Sequence, residues 1–401
     1  MKLIGTPSGV AAKTLPVPPA NFPADITMAS VAVSGDGRRV YGMAGGTSTI
    51  TFRYDAFGST VSPGGVVLAS GTIGPRVVSL NRDGSTVMAG WLMIDGQGTF
   101  LNDIPQRTNA ASIGTTVFDN KRNLIYAHIP ATAGEAPTLQ LLDVDNLTLR
   151  ERFNLPENTT GKSLLSSDNN TMYSVSDSGV LILPIGNLNS APRLSTGGKE
   201  LVFRGNFCDR RIATQTLTIT DPGGGRTAFS ISPSAAGVTI SPSSGVTPAT
   251  VRVTVDPNVF QAQKGTSTVM LNVVSAQAVN AVAPIRVLIN SREPDQRGTF
   301  VNVPGTLVDA IADPVRDRYY ILRQDQNQVL VFDASNNTQI GTLRTYNVPS
   351  AMAITLDKRY LLVGHYDSQT IAVYDLETLQ AMPYISVEAG AGNTVHSLAV
   401  S

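Results

Sequence analysis

Short apolar runs, each followed by a polar turn and a second apolar run, recur along this chain. Ser34-Gly35-Asp36-Gly37 lies between Val31-Ala32-Val33 and Val40-Tyr41, and Asn81-Arg82-Asp83-Gly84 between Val77-Val78 and Val87-Met88. The phrase returns at Phe118-Asp119-Asn120-Lys121 and at Ser166-Ser167-Asp168-Asn169. After a long interruption it comes back at Ala312-Asp313-Pro314 and at Thr355-Leu356-Asp357-Lys358. Alternation of apolar and polar positions, rich in β-branched and aromatic residues and bounded by Gly, Asn, Asp and Ser, predicts strands joined by tight turns. One complete repeat holds four of them, at 308–311, 318–322, 328–333 and 339–343. Six such units roughly 35 to 50 residues apart, leaving out the interruption, predict a radial array of four-stranded sheets, a β-propeller. No segment carries the periodicity and caps of a helix.

The chain ends extend the pattern. Val395-His396-Ser397-Leu398-Ala399-Val400-Ser401 reads as an innermost strand with no partner after it. Lys2-Leu3-Ile4 and Ala12-Lys13-Thr14-Leu15-Pro16-Val17 read as the two outer strands of the same unit. Both ends together predict a seventh blade that closes the ring and removes open sheet edges. The interruption has another texture. Thr216-Leu217-Thr218-Ile219, Ala249-Thr250-Val251-Arg252-Val253 and Ser267-Thr268-Val269-Met270-Leu271 are short alternating strands between Gly, Pro and Ser turns, the pattern of a β-sandwich. Phe300-Val301-Asn302-Val303-Pro304-Gly305 reads as the outer strand of the interrupted fourth blade. The expected organisation is therefore an all-β chain: propeller over 1–196, inserted sandwich over 197–292, and propeller again over 293–401.

Composition narrows the function classes. Charged residues are only 15% of the chain, and 30 basic residues balance 30 acidic ones, so nothing marks a nucleic-acid or anionic-membrane surface. Cys208 is the single cysteine, which excludes an internal disulfide and a cysteine metal cluster. No apolar stretch reaches membrane-spanning length. Neither a phosphate-binding Gly loop, a Gly-x-Ser-x-Gly elbow, a His-Glu-x-x-His motif nor a calcium loop is present.

The repeat resembles the YVTN family of bacterial β-propellers, relatives of the quinoprotein amine dehydrogenase β-chain-like superfamily. Val31-Ala32-Val33-Ser34-Gly35-Asp36-Gly37-Arg38-Arg39-Val40-Tyr41 and Ile371-Ala372-Val373-Tyr374-Asp375-Leu376-Glu377-Thr378 carry that likeness. The interruption resembles bacterial Ig-like modules of the BACON type, through Ile240-Ser241-Pro242-Ser243-Ser244-Gly245 and Val253-Thr254-Val255-Asp256-Pro257. In such modules an aromatic often stands just before the Ser-Pro-Ser-Ser-Gly run, where this chain has Val238. The resemblance implies an exported or cell-surface bacterial protein whose export signal lies upstream of this chain. It implies no reaction, because both scaffolds serve many roles.

Candidate chemistry is sparse. The three histidines, His128, His365 and His396, fall at strand ends that a propeller places on one face, so they are expected to rim one mouth of the central channel. Imidazoles there would serve as metal ligands or general bases, with His365 and His396 the best pair; the alternative is three separate surface side chains. Arg323 aligns with His365, and Asp325 with Asp367, when adjacent repeats are superposed on Asp333 and Asp375. These residues present polar groups at the mouth or, for the two aspartates, shape the turn by bonding to the backbone. Trp91, the only tryptophan, stacks on a sugar or a protein partner there or packs between blades. The expected function is a non-enzymatic, monomeric, extracytoplasmic binding or scaffold protein that recognises a protein or glycan and needs no cofactor. The competing expectation is a propeller lactonase or hydrolase with a metal ion in the channel.

Overall fold

The computed structural model describes residues 28–45, 48–69, 78–104, 115–206, 211–262, 265–292, 299–366, 368–387 and 395–400. Among the described residues it is all-β apart from three short 3-10 turns, and the chain divides into two compact units. One unit comprises Met1–Arg150, Leu155–Leu183 and Gly305–Ser401; the other comprises Glu151–Asn154 and Pro184–Pro304.

The first unit is built from small antiparallel sheets, in the manner of a β-propeller. β1 (Met28–Val33), β2 (Arg39–Gly45), β3 (Ser48–Asp55) and β4 (Thr60–Ala69) form the first sheet in chain order. β5 (Val78–Leu80), β6 (Thr86–Ala89), β7 (Leu92–Asp95) and β8 (Phe100–Asp103) form the second. β9 (Thr116–Asp119), β10 (Leu124–Ile129), β11 (Thr138–Asp143) and β12 (Leu149–Asn154) form the third. The fourth has, among the described residues, three strands, β13 (Thr159–Leu165), β14 (Met172–Ser176) and β15 (Val180–Leu183).

The second unit is a two-sheet sandwich formed by β16 (Ser195–Thr196), β17 (Glu200–Asn206), β18 (Ala213–Thr220), β19 (Ala228–Pro233), β20 (Val238–Ser241), β21 (Ser244–Val246), β22 (Ala249–Val255), β23 (Gly265–Val274) and β24 (Ile285–Arg292). Its sheets run β16-β18-β22-β20 and β17-β24-β23-β19-β21, the β17–β24 pair being parallel. Alternate residues of both sheets, Leu217, Val251 and Val253 from one and Ile231, Leu271 and Val287 from the other, meet in one core.

The chain then returns to the first unit. β25 (Leu307–Ala312), β26 (Arg318–Arg323), β27 (Gln328–Asp333) and β28 (Thr338–Arg344) form its fifth sheet. β29 (Pro349–Ile354), β30 (Tyr360–His365), β31 (Thr370–Asp375) and β32 (Ala381–Ser386) form the sixth. The innermost strands β1, β5, β9 and β13 lie side by side in series, as do β25 and β29. Fully buried side chains such as Met43, Met88, Ile125 and Leu361 fill the spaces between sheets, each contributing about 1.5–3 kcal/mol by burial.

The recurring phrase works through local chemistry. Ser34 Oγ donates to Asp36 Oδ1 at 2.6 Å, Ser166 Oγ to Asp168 Oδ1 at 2.6 Å and Thr355 Oγ1 to Asp357 Oδ1 at 2.5 Å. The same carboxylates accept the backbone N–H of Arg38, Asn170 and Arg359, which closes each turn. Successive turns are also linked to one another. Gly35 N–H donates to the Arg82 carbonyl at 2.9 Å, Arg82 N–H to Asn120 Oδ1 at 3.1 Å, and Asn169 Nδ2 to Asp119 Oδ1 at 3.0 Å. Gly35 is needed there because a Cβ would stand 2.7 Å from the Arg82 carbonyl oxygen.

Two sequence expectations receive a different answer. Residues 395–400 form no strand; Val395 instead donates its N–H to the His365 carbonyl and accepts from Ser350 Oγ. Its expected partner segment, Lys2 to Val17, lies outside the described residues. Residues 299–304 also form no strand, since they find no ladder partner before Pro304 and the positive φ of Gly305 end the extended run.

Candidate functional site

Two runs of sheets meet within the first unit, and a cavity opens where they do. The turn after β11 supplies Asp145 and Asn146, the segment leaving β28 supplies Arg344 to Tyr346, and β31 and β32 supply Tyr374 and Tyr384. These residues line a space of about 310 Å³, at the small end of the range for ligand sites. An amide framework fixes its floor. Asn146 Nδ2 donates to the Thr345 carbonyl at 3.1 Å, Asn102 Nδ2 donates to the Asn146 carbonyl at 3.0 Å, and Asn347 N–H donates to Asn102 Oδ1 at 3.4 Å. Arg344 is tied by an ion pair to Asp143, which also holds Arg150.

The three tyrosines differ in how their hydroxyls are used. Tyr374 donates to the Arg344 carbonyl at 2.6 Å, and Tyr384 donates to Asp95 Oδ2 at 2.5 Å. Tyr346 has no hydrogen-bond partner for its hydroxyl among the described residues. Burial holds its phenol above the usual range, and the charges of Asp145 and Asp95 push it the same way. Burial likewise raises Tyr374, with Tyr346 adding to the effect, and raises Tyr384, with its bond to Asp95 next in size. All three are therefore neutral donors at physiological pH. The site offers aromatic walls, one free hydroxyl and a carboxylate, the Asn146 amide being used on both sides by Thr345 and Thr148. It can hold a neutral polar ligand by hydrogen bonds while packing against its apolar faces.

The structure redistributes the residues that the sequence singled out. His128 and His365 lie in the interior, not on a rim, because the ends of β10 and β30 are covered on both sides. His128 Nε2 accepts the Thr159 N–H at 3.4 Å, and burial pulls its pKa down to about 4. His365 faces the Thr370 carbonyl through Nδ1 at 3.3 Å, while its Nε2 has no partner. Its pKa also falls to about 4, by burial. The Tyr346 ring meets it edge-on at 5.4 Å, which links His365 to the cavity wall from behind.

His396 is exposed and stacks edge-on against Tyr366 at 4.3 Å. Arg323 and Asp325 pair with each other at 3.0 and 3.1 Å, and Asp325 also accepts the Thr306 N–H at 2.8 Å. The pair therefore clamps the entry to β25. Trp91 is buried with Met88, Phe118 and Leu142, as a core residue. Asp367 lies outside the described residues. Among the described residues, no group of three or more His, Cys, Asp or Glu could hold a metal ion. The cavity tyrosines were not singled out by motif; the available signal was density, five of the chain's eleven tyrosines falling within 346–384.

No protein-family model matches this chain, and no curated protein does. Among solved structures it is similar to a dihydro-heme d1 dehydrogenase, NirN, in complex with DHE, at 12% identity and a TM-score of 0.29. That match covers 89% of this chain and 65% of that one. It is also similar to a Bacteroides ovatus GH5 xyloglucanase in complex with a XXXG heptasaccharide, at 22% identity and a TM-score of 0.20. Here the match covers 28% of this chain and 20% of that one.

Proposed function

We propose that this chain is a non-enzymatic, extracytoplasmic binding protein that takes a glycan in the tyrosine-lined cavity. One observation carries the reading: Tyr346, Tyr374 and Tyr384 surround a single space together with Asp145 and Asn146, and the Tyr346 hydroxyl is left free. Sugars present C–H faces that pack on aromatic rings and hydroxyls that bond to carboxylate, amide and phenol groups. The balanced charge of the chain agrees with a neutral ligand and with a partner other than nucleic acid.

In this reading the first unit is a seven-bladed ring of the YVTN kind, and the C-terminal segment joins it through the bonds of Val395 to His365 and Ser350 rather than as a regular strand. The sandwich is an Ig-like module of the BACON type that serves as a spacer or a second contact surface, and the protein acts as a monomer. A glycan array followed by calorimetry with the best oligosaccharide tests the proposal. Binding that falls at least about tenfold in Tyr346→Ala supports it, that being the loss of one hydrogen bond plus its packing. A well-folded protein that binds no glycan on the array, or binds one equally well after Tyr346→Ala, overturns it.

A further inference from the structure

A second cavity lies in the same unit, along its innermost strands. The ends of β1, β5, β9 and β13, with the turns that follow them, line a space of about 340 Å³. Its lining includes Val33, Arg82, Phe118, Asn120, Lys162 and Leu164. A wider hollow over the turns shares Asn81, Arg82 and Asn120 with it.

The chemistry of the inner cavity is one-sided. Among the described residues no acidic one lines it, although the chain as a whole carries no net charge. Among the described residues, neither the Arg82 guanidinium nor the Lys162 ammonium has a hydrogen-bond or ion-pair partner. Asn120 spends its carbonyl on the Arg82 N–H, which leaves its Nδ2 as a free donor. Asn81 is used on both sides, donating to Ser85 Oγ at 2.9 Å and accepting the Thr86 N–H at 3.1 Å. Asp36 and Asp83 line only the outer hollow, and each is already engaged by a turn hydroxyl, Ser34 and Ser85 respectively. Of the unspent side-chain groups, two are cationic donors and Asn120 Nδ2 a third, while Asn169, whose Nδ2 is taken by Asp119, leaves its Oδ1 as an acceptor. Beside them Val33 and Leu164 are 56% and 55% exposed, too open for core residues.

From this juxtaposition we infer that the inner-strand cavity binds a small organic carboxylate with an apolar body. The Arg82 fork and Lys162 meet the carboxylate, Asn120 adds a third donor, and Val33 and Leu164 cover the apolar part. A guanidinium matches a planar carboxylate through two parallel bonds, which favours that anion over a spherical one. Free donors confined to a partly enclosed site hold an anion more firmly than the same groups spread over a surface.

The test uses phenylacetate as probe, 2-phenylethanol as its uncharged counterpart and inorganic phosphate as an anion without an apolar body. Each is titrated into the full chain by calorimetry at low salt and again at higher salt. The expected result is saturable binding of phenylacetate that weakens with salt, with no binding of 2-phenylethanol and weaker binding of phosphate. Arg82→Gln combined with Lys162→Gln is expected to weaken phenylacetate at least about tenfold, with an unchanged melting temperature. Tyr346→Ala is expected to leave it unaffected, which separates this site from the glycan cavity. No binding of phenylacetate, equal binding of 2-phenylethanol, tighter binding of phosphate, or an unaltered affinity in the folded double variant would each overturn the inference.

Discussion

Mild acid should destabilise this chain through its buried imidazoles before its carboxylates are affected. His365 has no exposed surface, its Nε2 has no acceptor, and burial holds its pKa at about 4. In the unfolded chain the same side chain titrates near 6.5. Between those values the unfolded state binds the extra proton, so stability falls as pH falls from about 6.5 and the loss is complete near pH 4. At pH 5 the difference amounts to about 2 kcal/mol, and at pH 4 and below it approaches about 3 kcal/mol.

His365→Phe keeps a ring against Tyr346 but removes the titration. Urea unfolding at pH 7 and pH 5, followed by the fluorescence of Trp91 in the same unit, isolates the effect. The drop in unfolding free energy between the two pH values should be smaller in His365→Phe by about 2 kcal/mol. Whether the variant is less stable at pH 7 is immaterial, because only the difference between pH values is read. An equal drop in both proteins, or a native-state His365 resonance that titrates near 6.5, would refute the reasoning.

Three further outcomes are expected. Gly35→Ala places a methyl 2.7 Å from the Arg82 carbonyl oxygen, and the forced shift should cost about 1–3 kcal/mol in a thermal or urea melt. Tyr320→Phe removes a donor at 2.9 Å from the fully buried Asp313 carboxylate. That substitution should cost about 1–3 kcal/mol, more than Tyr126→Phe, whose hydroxyl stands 3.4 Å from Asp119. Tyr346→Phe removes only the unpartnered hydroxyl, so glycan affinity should fall by about two- to tenfold with the melting temperature unchanged.

What the sequence made legible was whatever local chemistry decides. Ser34, Asp36 and Gly37 make their turn from within a few residues, so the repeat could be seen without tertiary information. The sandwich was visible for the same reason, since β18 and β22 alternate buried and exposed positions. His128 was misplaced because five of the six residues of β10 are buried, and alternation cannot reveal a strand that is covered on both faces. The segment 299–304 has strand-like alternation, but a strand exists only where a partner's backbone meets it. The tyrosine cavity was illegible because Asp145, Tyr346 and Tyr384 come from distant stretches of chain, joined by bonds such as that between Asn146 and Thr345.

The linked turns carry a consequence for biosynthesis. The first turn leans on the second through the Gly35 amide, the second leans on the third through the Arg82 amide, and Asp119 of the third is held by Asn169 of the fourth. Every anchor lies downstream of what it secures. A ribosome releases these segments from the first turn to the fourth, so each emerges before its anchor. Each hairpin therefore leaves the exit tunnel with its turn closed locally but not yet tied to its successor, so a pause in translation after the first or second sheet would leave a nascent chain with loose ends for chaperones to hold.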